Sequence, residues 1–203
     1  MLMLFLLSSL PPILIVFLLY KLDKYDKEPL QQIAKTFFLG CLIVIPILLI
    51  ASIRDPLYYQ GYFYNILSFI GAGLIGVPEL NVFLYAMIGI ALLEEFFKYF
   101  VLTKYTYKKP EFNEPMDGIV YGVTISMGFA FVENLLFVFS YYNEQGYYVA
   151  ILRMFSAIPA HALMGVIMGY YVGKAKFSSS NEKNLLLKGL IGAITLHGLY
   201  DYF

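Results

Sequence analysis

Long apolar runs separated by short polar loops dominate the chain. They occupy roughly 2–20, 33–53, 81–103, 117–142, 149–172 and 185–203, each near the roughly 20 residues a helix needs to cross a hydrocarbon layer. The first run has neither a basic leading region nor a small-residue cleavage site, so it reads as a retained span rather than a removed signal peptide. Pro11 and Pro12 in its middle predict a kink that neighbouring helices can accommodate. The stretch from Leu57 to Pro78 differs. It opens with tyrosines, Gln60 and Asn65, and its continuous apolar part, Ile66 to Val77, suits an interfacial or re-entrant piece better than a full crossing.

Lysines decide how the spans alternate. They gather after the first run (Lys21, Lys24, Lys27), the third (Lys104, Lys108, Lys109) and the fifth (Lys174, Lys176, Lys183), while the intervening loops hold almost none. Positive loops stay cytoplasmic. Three basic loops agree with one another only if an even number of spans separates them, which holds if 57–78 does not cross. The expected fold is therefore an all-α, polytopic membrane helix bundle. It has about six transmembrane helices plus one interfacial or re-entrant segment, with both termini outside and a seven-span count as the alternative. Tyr58, Tyr59, Tyr62, Tyr64, Tyr141, Tyr142, Tyr147 and Tyr148 fall where amphipathic rings meet the headgroups.

Composition narrows the function. The 203 residues are 60% hydrophobic and only 14% charged, with a mean hydropathy of +0.71, against about 25% charged in ordinary soluble domains. A soluble enzyme, a nucleic-acid binder and a disordered regulator are excluded, and the chain is expected to form a single integral membrane domain over 1–203. Basic and acidic side chains balance at 14 each, so no polybasic patch exists to grip phosphate. The lone cysteine, Cys41, rules out a disulfide framework or a multi-cysteine metal site.

Against that background the ionisable residues inside the apolar runs stand out, because each costs several kcal/mol at mid-bilayer and is a functional candidate by default. The third run holds Glu94, Glu95 and Lys98, the fourth Glu133 and Asn134, the fifth His161, and the sixth His197 and Asp201. Glu94 and Lys98 are four apart, as are His197 and Asp201, so each pair shares a helix face. Glu94 and Glu95 point about 100° apart and are expected to do different jobs. Counting along each helix puts the acids and histidines in one layer between the midplane and the outer third. Gly165, Gly169 and Gly173 form a small-residue packing face, and Gly118, Gly122 and Gly128 line the preceding span.

In sequence order, Glu94-Glu95-Phe96-Phe97-Lys98, Asp117-Gly118-Ile119-Val120-Tyr121-Gly122, Gly128 to Asn134, Pro159-Ala160-His161-Ala162 and His197-Gly198-Leu199-Tyr200-Asp201 resemble the signature blocks of the PrsW-type intramembrane proteases. The match runs over about the last 110 residues, and the motif-bearing core spans about 81–203. That family is grouped with the CAAX prenyl endopeptidases and bacteriocin-processing membrane proteases. The resemblance implies a glutamic-type peptide hydrolase of the cell membrane, making the first cut in a membrane-anchored anti-sigma factor. Carried over by position, Glu94 and Glu95 match the paired glutamates, His161 the central histidine and His197 the final one. Glu133-Asn134 stands where the CAAX relatives have a histidine, which speaks against a prenylated substrate.

Peptide hydrolysis needs a water, a base and donors for the oxyanion. Glu95 is the first candidate for the base and Glu94 its alternate. His161 is expected to share the water proton or serve the leaving amine. His197, oriented by Asp201, and Asn134 are expected to donate to the oxyanion, and Lys98 to neutralise the glutamates. Glu133 is catalytic or orienting. No cofactor is expected. The alternative is a zinc metalloprotease using Glu95, Glu133, His161 and His197, although the strong H-E-x-x-H signature is missing. A proton-coupled transporter is the non-enzymatic alternative. The expected partners are a single-span membrane protein and lipid, with no nucleic acid.

Overall fold

The computed structural model describes residues 1–24, 26–59, 78–141 and 144–203, and every regular element among them is helical. We number the α-helices α1 (Leu2–Leu22), α2 (Leu30–Leu42), α3 (Val44–Tyr59), α4 (Pro78–Leu84), α5 (Leu92–Val101), α6 (Pro115–Ser140), α7 (Glu144–Phe155), α8 (Ala157–Lys176) and α9 (Glu182–Tyr202). Two π-helical stretches, Tyr85–Ala91 and Leu102–Thr106, flank α5. The interfacial segment expected at 57–78 lies outside the described residues except at its helical ends.

Among the described residues, five helical stretches are long and apolar enough to cross a membrane: Leu2–Leu22, Leu30–Arg54, Glu79–Thr106, Pro115–Ser140 and Gln145–Lys176. α9 equals α1 in length at 21 residues but carries Glu182, Lys183, Lys188 and Asp201, and it packs along α8 and the first π stretch. The bundle turns its apolar side chains outward: Leu14, Phe17, Phe38, Leu49, Phe100 and Leu163 are exposed, while Glu95, Lys98, Asn134 and His161 are buried. Such a surface needs lipid as its solvent. The chain is a multi-pass integral membrane protein.

Prolines place the breaks. A proline ring clashes with the carbonyl four residues back and removes one backbone donor. Pro46 opposes Leu42, where α2 ends, and Pro159 opposes Phe155, where α7 ends. α1 instead continues through Pro11 and Pro12 as one helical segment. The freed carbonyl of Ser8, four residues before Pro12, is taken up by the Asn134 Nδ2 of α6 at 2.8 Å.

α6 is the axis, with α1, α2 and α8 packed against it. Close approach of α6 and α8 depends on glycine. A Cβ on Gly169 would strike the Gly118 carbonyl oxygen, so the small-residue face recognised in the sequence is a backbone-to-backbone seam.

The three basic loops meet at one end of the bundle. Tyr107 donates to Glu182 at 2.8 Å, Asn113 Nδ2 to Asp26 at 2.8 Å, and Lys176 Nζ to the carbonyls of Tyr107 and Lys109. This is the arrangement that an even span number between the loops requires. At the same end the Tyr121 hydroxyl donates to Glu28, which is only 2% exposed. Burial, helped by Asp117 and Glu111 and opposed by the Tyr121 hydrogen bond, pushes the Glu28 carboxyl from 4.5 up to about 8. The folded state therefore holds this proton where the unfolded chain has lost it, and stability falls as pH rises from 4.5 to about 8. Thermal unfolding in detergent should show that fall in the wild type and a flatter profile in Glu28→Gln. Parallel profiles would contradict the assignment.

Candidate active site

Glu94, Glu95 and Lys98 project inward from α5, where all three are buried. The preceding π stretch leads into them, with the Leu92 amide bonding back to the Met87 carbonyl, five residues earlier. Such stretches are rare and recur at functional sites. α9 crosses the π stretch closely at Gly198, where any side chain would collide with Met87, and this brings His197 against the two glutamates.

The polar groups form one connected cluster. Lys98 Nζ lies 2.7 Å from Glu95 Oε1, 3.7 Å from Glu94 Oε2 and 3.2 Å from His161 Nδ1. It also sits 4.3 Å above the Phe129 ring, a favourable position for a cation. His197 Nδ1 lies 2.8 Å from Glu95 Oε1. Its Nε2 lies 3.7 Å from Glu94 Oε2 and 3.4 Å from Asp201 Oδ2. The two imidazoles meet edge to face at 5.3 Å. Across the cluster, His161 Nε2 lies 3.0 Å from Glu133 Oε2, which the Arg153 guanidinium also holds. Arg153 Nε donates to Asn134 Oδ1 at 2.8 Å.

A cavity of about 390 Å³ reaches this cluster. One water takes about 30 Å³ of liquid volume, so the space holds several waters or a short stretch of peptide. Val44, Ile47, Leu48, Ala51 and Arg54 of α3 form one wall, and Glu94, His161, His197, Tyr200 and Asp201 lie on the others. The two glutamates are not equivalent. Glu94 lines the cavity, whereas Glu95 does not; Glu95 is fully buried, with one oxygen bonded to both Lys98 and His197. Glu94 Oε2 and Glu95 Oε2 lack hydrogen-bond partners.

Glu94, Glu95, His161 and His197 can each offer one ligand atom within 4.8 Å of the others. Two carboxylates and two imidazoles with unpartnered oxygens fit a divalent cation such as zinc. Glu133, named in the alternative ligand set, lies instead on the far nitrogen of His161, the usual place for a carboxylate that orients a ligand histidine. Lys98 already contacts three of the four donors, so an ion there competes with a resident ammonium.

Every ionisable residue singled out in the sequence joins this cluster, Asp201 through His197 and Glu133 through His161. Asn134 stands behind it, its amide nitrogen donating to the Ser8 carbonyl and its amide oxygen accepting from Arg153. Arg153, Phe129 and the α3 wall were missed. A signal for Arg153 existed: it is a lone arginine within an apolar run.

An all-α membrane bundle that buries paired glutamates and two histidines beside a cavity has the parts that an intramembrane protease needs. The chain belongs to the PrsW family: a family profile described as PrsW family intramembrane metalloprotease matches residues 28–203. Protease PrsW of Geobacillus kaustophilus is 35% identical over 192 residues, covering 95% of this chain and 75% of that protein. The Bacillus subtilis relative of the same name is 34% identical over 193 residues, covering 95% and 78%. That of Clostridioides difficile is 32% identical over 203 residues, covering 98% and 78%. No solved structure matches.

Proposed function

We propose that the protein is an intramembrane endopeptidase of glutamic type, hydrolysing a peptide bond in a single-span membrane protein with water activated by Glu94. The observation that carries this is the position of Glu94: a buried carboxylate on the cavity wall with one oxygen that accepts no hydrogen bond. Geometry thus favours Glu94 over Glu95 as the base. Glu94 takes one proton from water, and the hydroxide attacks the scissile carbonyl carbon. The C–N bond then breaks, and the proton passes to the leaving amine. His197 has carboxylate oxygens near both ring nitrogens, surroundings that suit a donor to the oxyanion or the amine. Glu95 holds Lys98 and His197 in place, and Lys98 offsets the glutamates' charge.

The cut belongs near the outer end of the substrate helix. Counting from the basic end of each helix, Glu94, His161, His197 and Glu133 lie roughly 18–27 Å in, past the middle of a roughly 30 Å hydrocarbon layer. A helix end frays without exposing many unpaired peptide groups to lipid, each of which costs several kcal/mol. An anti-sigma factor is the substrate that the family resemblance implies. Comparing membrane proteomes of cells carrying wild type or Glu94→Gln tests the substrate class. Single-span proteins should accumulate uncut in the variant, and identical proteomes would overturn the proposal.

A second reading is favoured by the convergence of four donors and by the family's description. Glu94, Glu95, His161 and His197 would then hold a divalent ion, which when bound supplies Lewis-acid polarisation of the carbonyl and an activated water. We favour the metal-free reading because Lys98 supplies positive charge to the same donors. Purified protein should hold far less than one zinc per chain and keep its activity after chelation. Stoichiometric zinc, with activity lost on its removal and regained on its return, would establish the second reading.

A further inference from the structure

We infer that Arg153 is a positioning residue that, through Glu133, fixes which nitrogen of His161 faces Lys98, the counter-charge of the paired glutamates. The inference rests on the proteolytic function proposed above for its kinetic consequence, though not for its structural one.

An arginine inside a stretch apolar enough to cross a membrane needs a reason to be there. Arg153 is held on three sides. Its guanidinium grips Glu133 Oε2, its Nε donates to Asn134 Oδ1 at 2.8 Å, and its charge lies 4.2 Å from the Phe137 ring centroid. Asn134 is itself anchored, because its Nδ2 donates to the Ser8 carbonyl at 2.8 Å, the one that Pro12 leaves without an amide partner. The rigid fork of the guanidinium is suited to holding two acceptors at a fixed angle.

The oxygen of Glu133 that Arg153 grips is also the one 3.0 Å from His161 Nε2. On the opposite side of the ring, Nδ1 lies 3.2 Å from Lys98 Nζ. An ammonium only donates and a carboxylate only accepts. His161 is therefore held with hydrogen on Nε2 and a lone pair on Nδ1, aimed at Lys98. The helix break before Ala157 makes this possible. Arg153 and His161 stand eight residues apart, about 12 Å along an unbroken helix, yet both reach one carboxylate oxygen. Without Arg153, Glu133 loses a group that fixes its place, and only Lys98 is left to bias the ring.

The chain has two histidines, so nitrogen NMR of histidine-labelled protein in detergent resolves the ring directly. Wild type should show His161 as the Nε2–H tautomer, and Arg153→Gln should show mixed tautomers. In the cleavage assay Arg153→Gln should lower kcat about 10–100-fold, the usual effect of losing a group that orients another, with KM little changed. Arg153→Lys should recover part of the rate, since a point charge reaches Glu133 but does not hold Asn134 as well. It also carries the test if Arg153→Gln fails to fold, with intermediate ring signals expected. Glu133→Gln combined with Arg153→Gln should be no slower than Glu133→Gln alone. Unchanged ring signals in Arg153→Gln, or multiplicative losses in the double variant, would overturn the inference. Altered ring signals in a protein that cleaves nothing would uphold it and sink the proteolytic reading instead.

Discussion

Glu94→Gln is expected to fold, insert and bind substrate, yet to lose at least about two orders of magnitude in cleavage rate, the usual contribution of a positioned general base. The amide is nearly isosteric and cannot accept the water's proton. Stability should change little, because Glu94 makes no close hydrogen bond: Lys98 and His197 both stand 3.7 Å away. Glu95→Gln should also be inactive, for a different reason. Its carboxylate holds Lys98 at 2.7 Å and His197 at 2.8 Å, so its loss leaves a buried ammonium without its nearest partner. Activity together with unfolding in detergent separates the two roles. A Glu94→Gln protein that cleaves at near wild-type rate would remove Glu94 as the base.

The largest effect on stability is expected at Lys98. Its side chain is 1% exposed and meets two buried carboxylates. Breaking a buried pair by deleting one partner costs about 3–5 kcal/mol, whereas deleting both charges is often close to neutral. Lys98→Met should therefore unfold far more readily in detergent than wild type, and Lys98→Met with Glu95→Gln should regain much of the loss. If Lys98→Met were as stable as wild type, Lys98 would not be the counter-charge of the cluster.

Much of this was legible in the sequence because lipid imposes simple rules. Spans follow from length and apolarity, and the lysines at 21–27, 104–109 and 174–183 correctly grouped three loops at one end. An ionisable side chain in an apolar run is expensive enough to be conspicuous, which is why Glu94, Glu95, Lys98, Glu133, His161 and His197 were all found. Other features depend on how the helices sit against one another. Adjacent glutamates point in different directions, but only the packing of α3 and α9 shows that Glu94 takes the cavity side. The π stretch that sets the approach to α5 leaves no mark in the residue pattern. The α3 wall is ordinary apolar sequence and carries no chemical signal. The link from Ser8 through Asn134, Arg153 and Glu133 to His161 joins residues up to 153 positions apart in the chain, and its first member acts through a backbone carbonyl that a proline leaves free. Pro12 predicted a disturbed helix, and its partner on α6 is visible only in three dimensions.

The central claim is that this cluster delivers water to a peptide bond within the membrane. Purified protein reconstituted in vesicles with a single-span substrate, in water enriched in oxygen-18, tests it most directly. Mass spectrometry of the products should find one heavy oxygen in a new carboxyl terminus at or just beyond the outer end of the substrate helix. The product should be absent with Glu94→Gln. Termini on the cytoplasmic side would invert the depth assignment, and wild-type labelling in Glu94→Gln would contradict the mechanism.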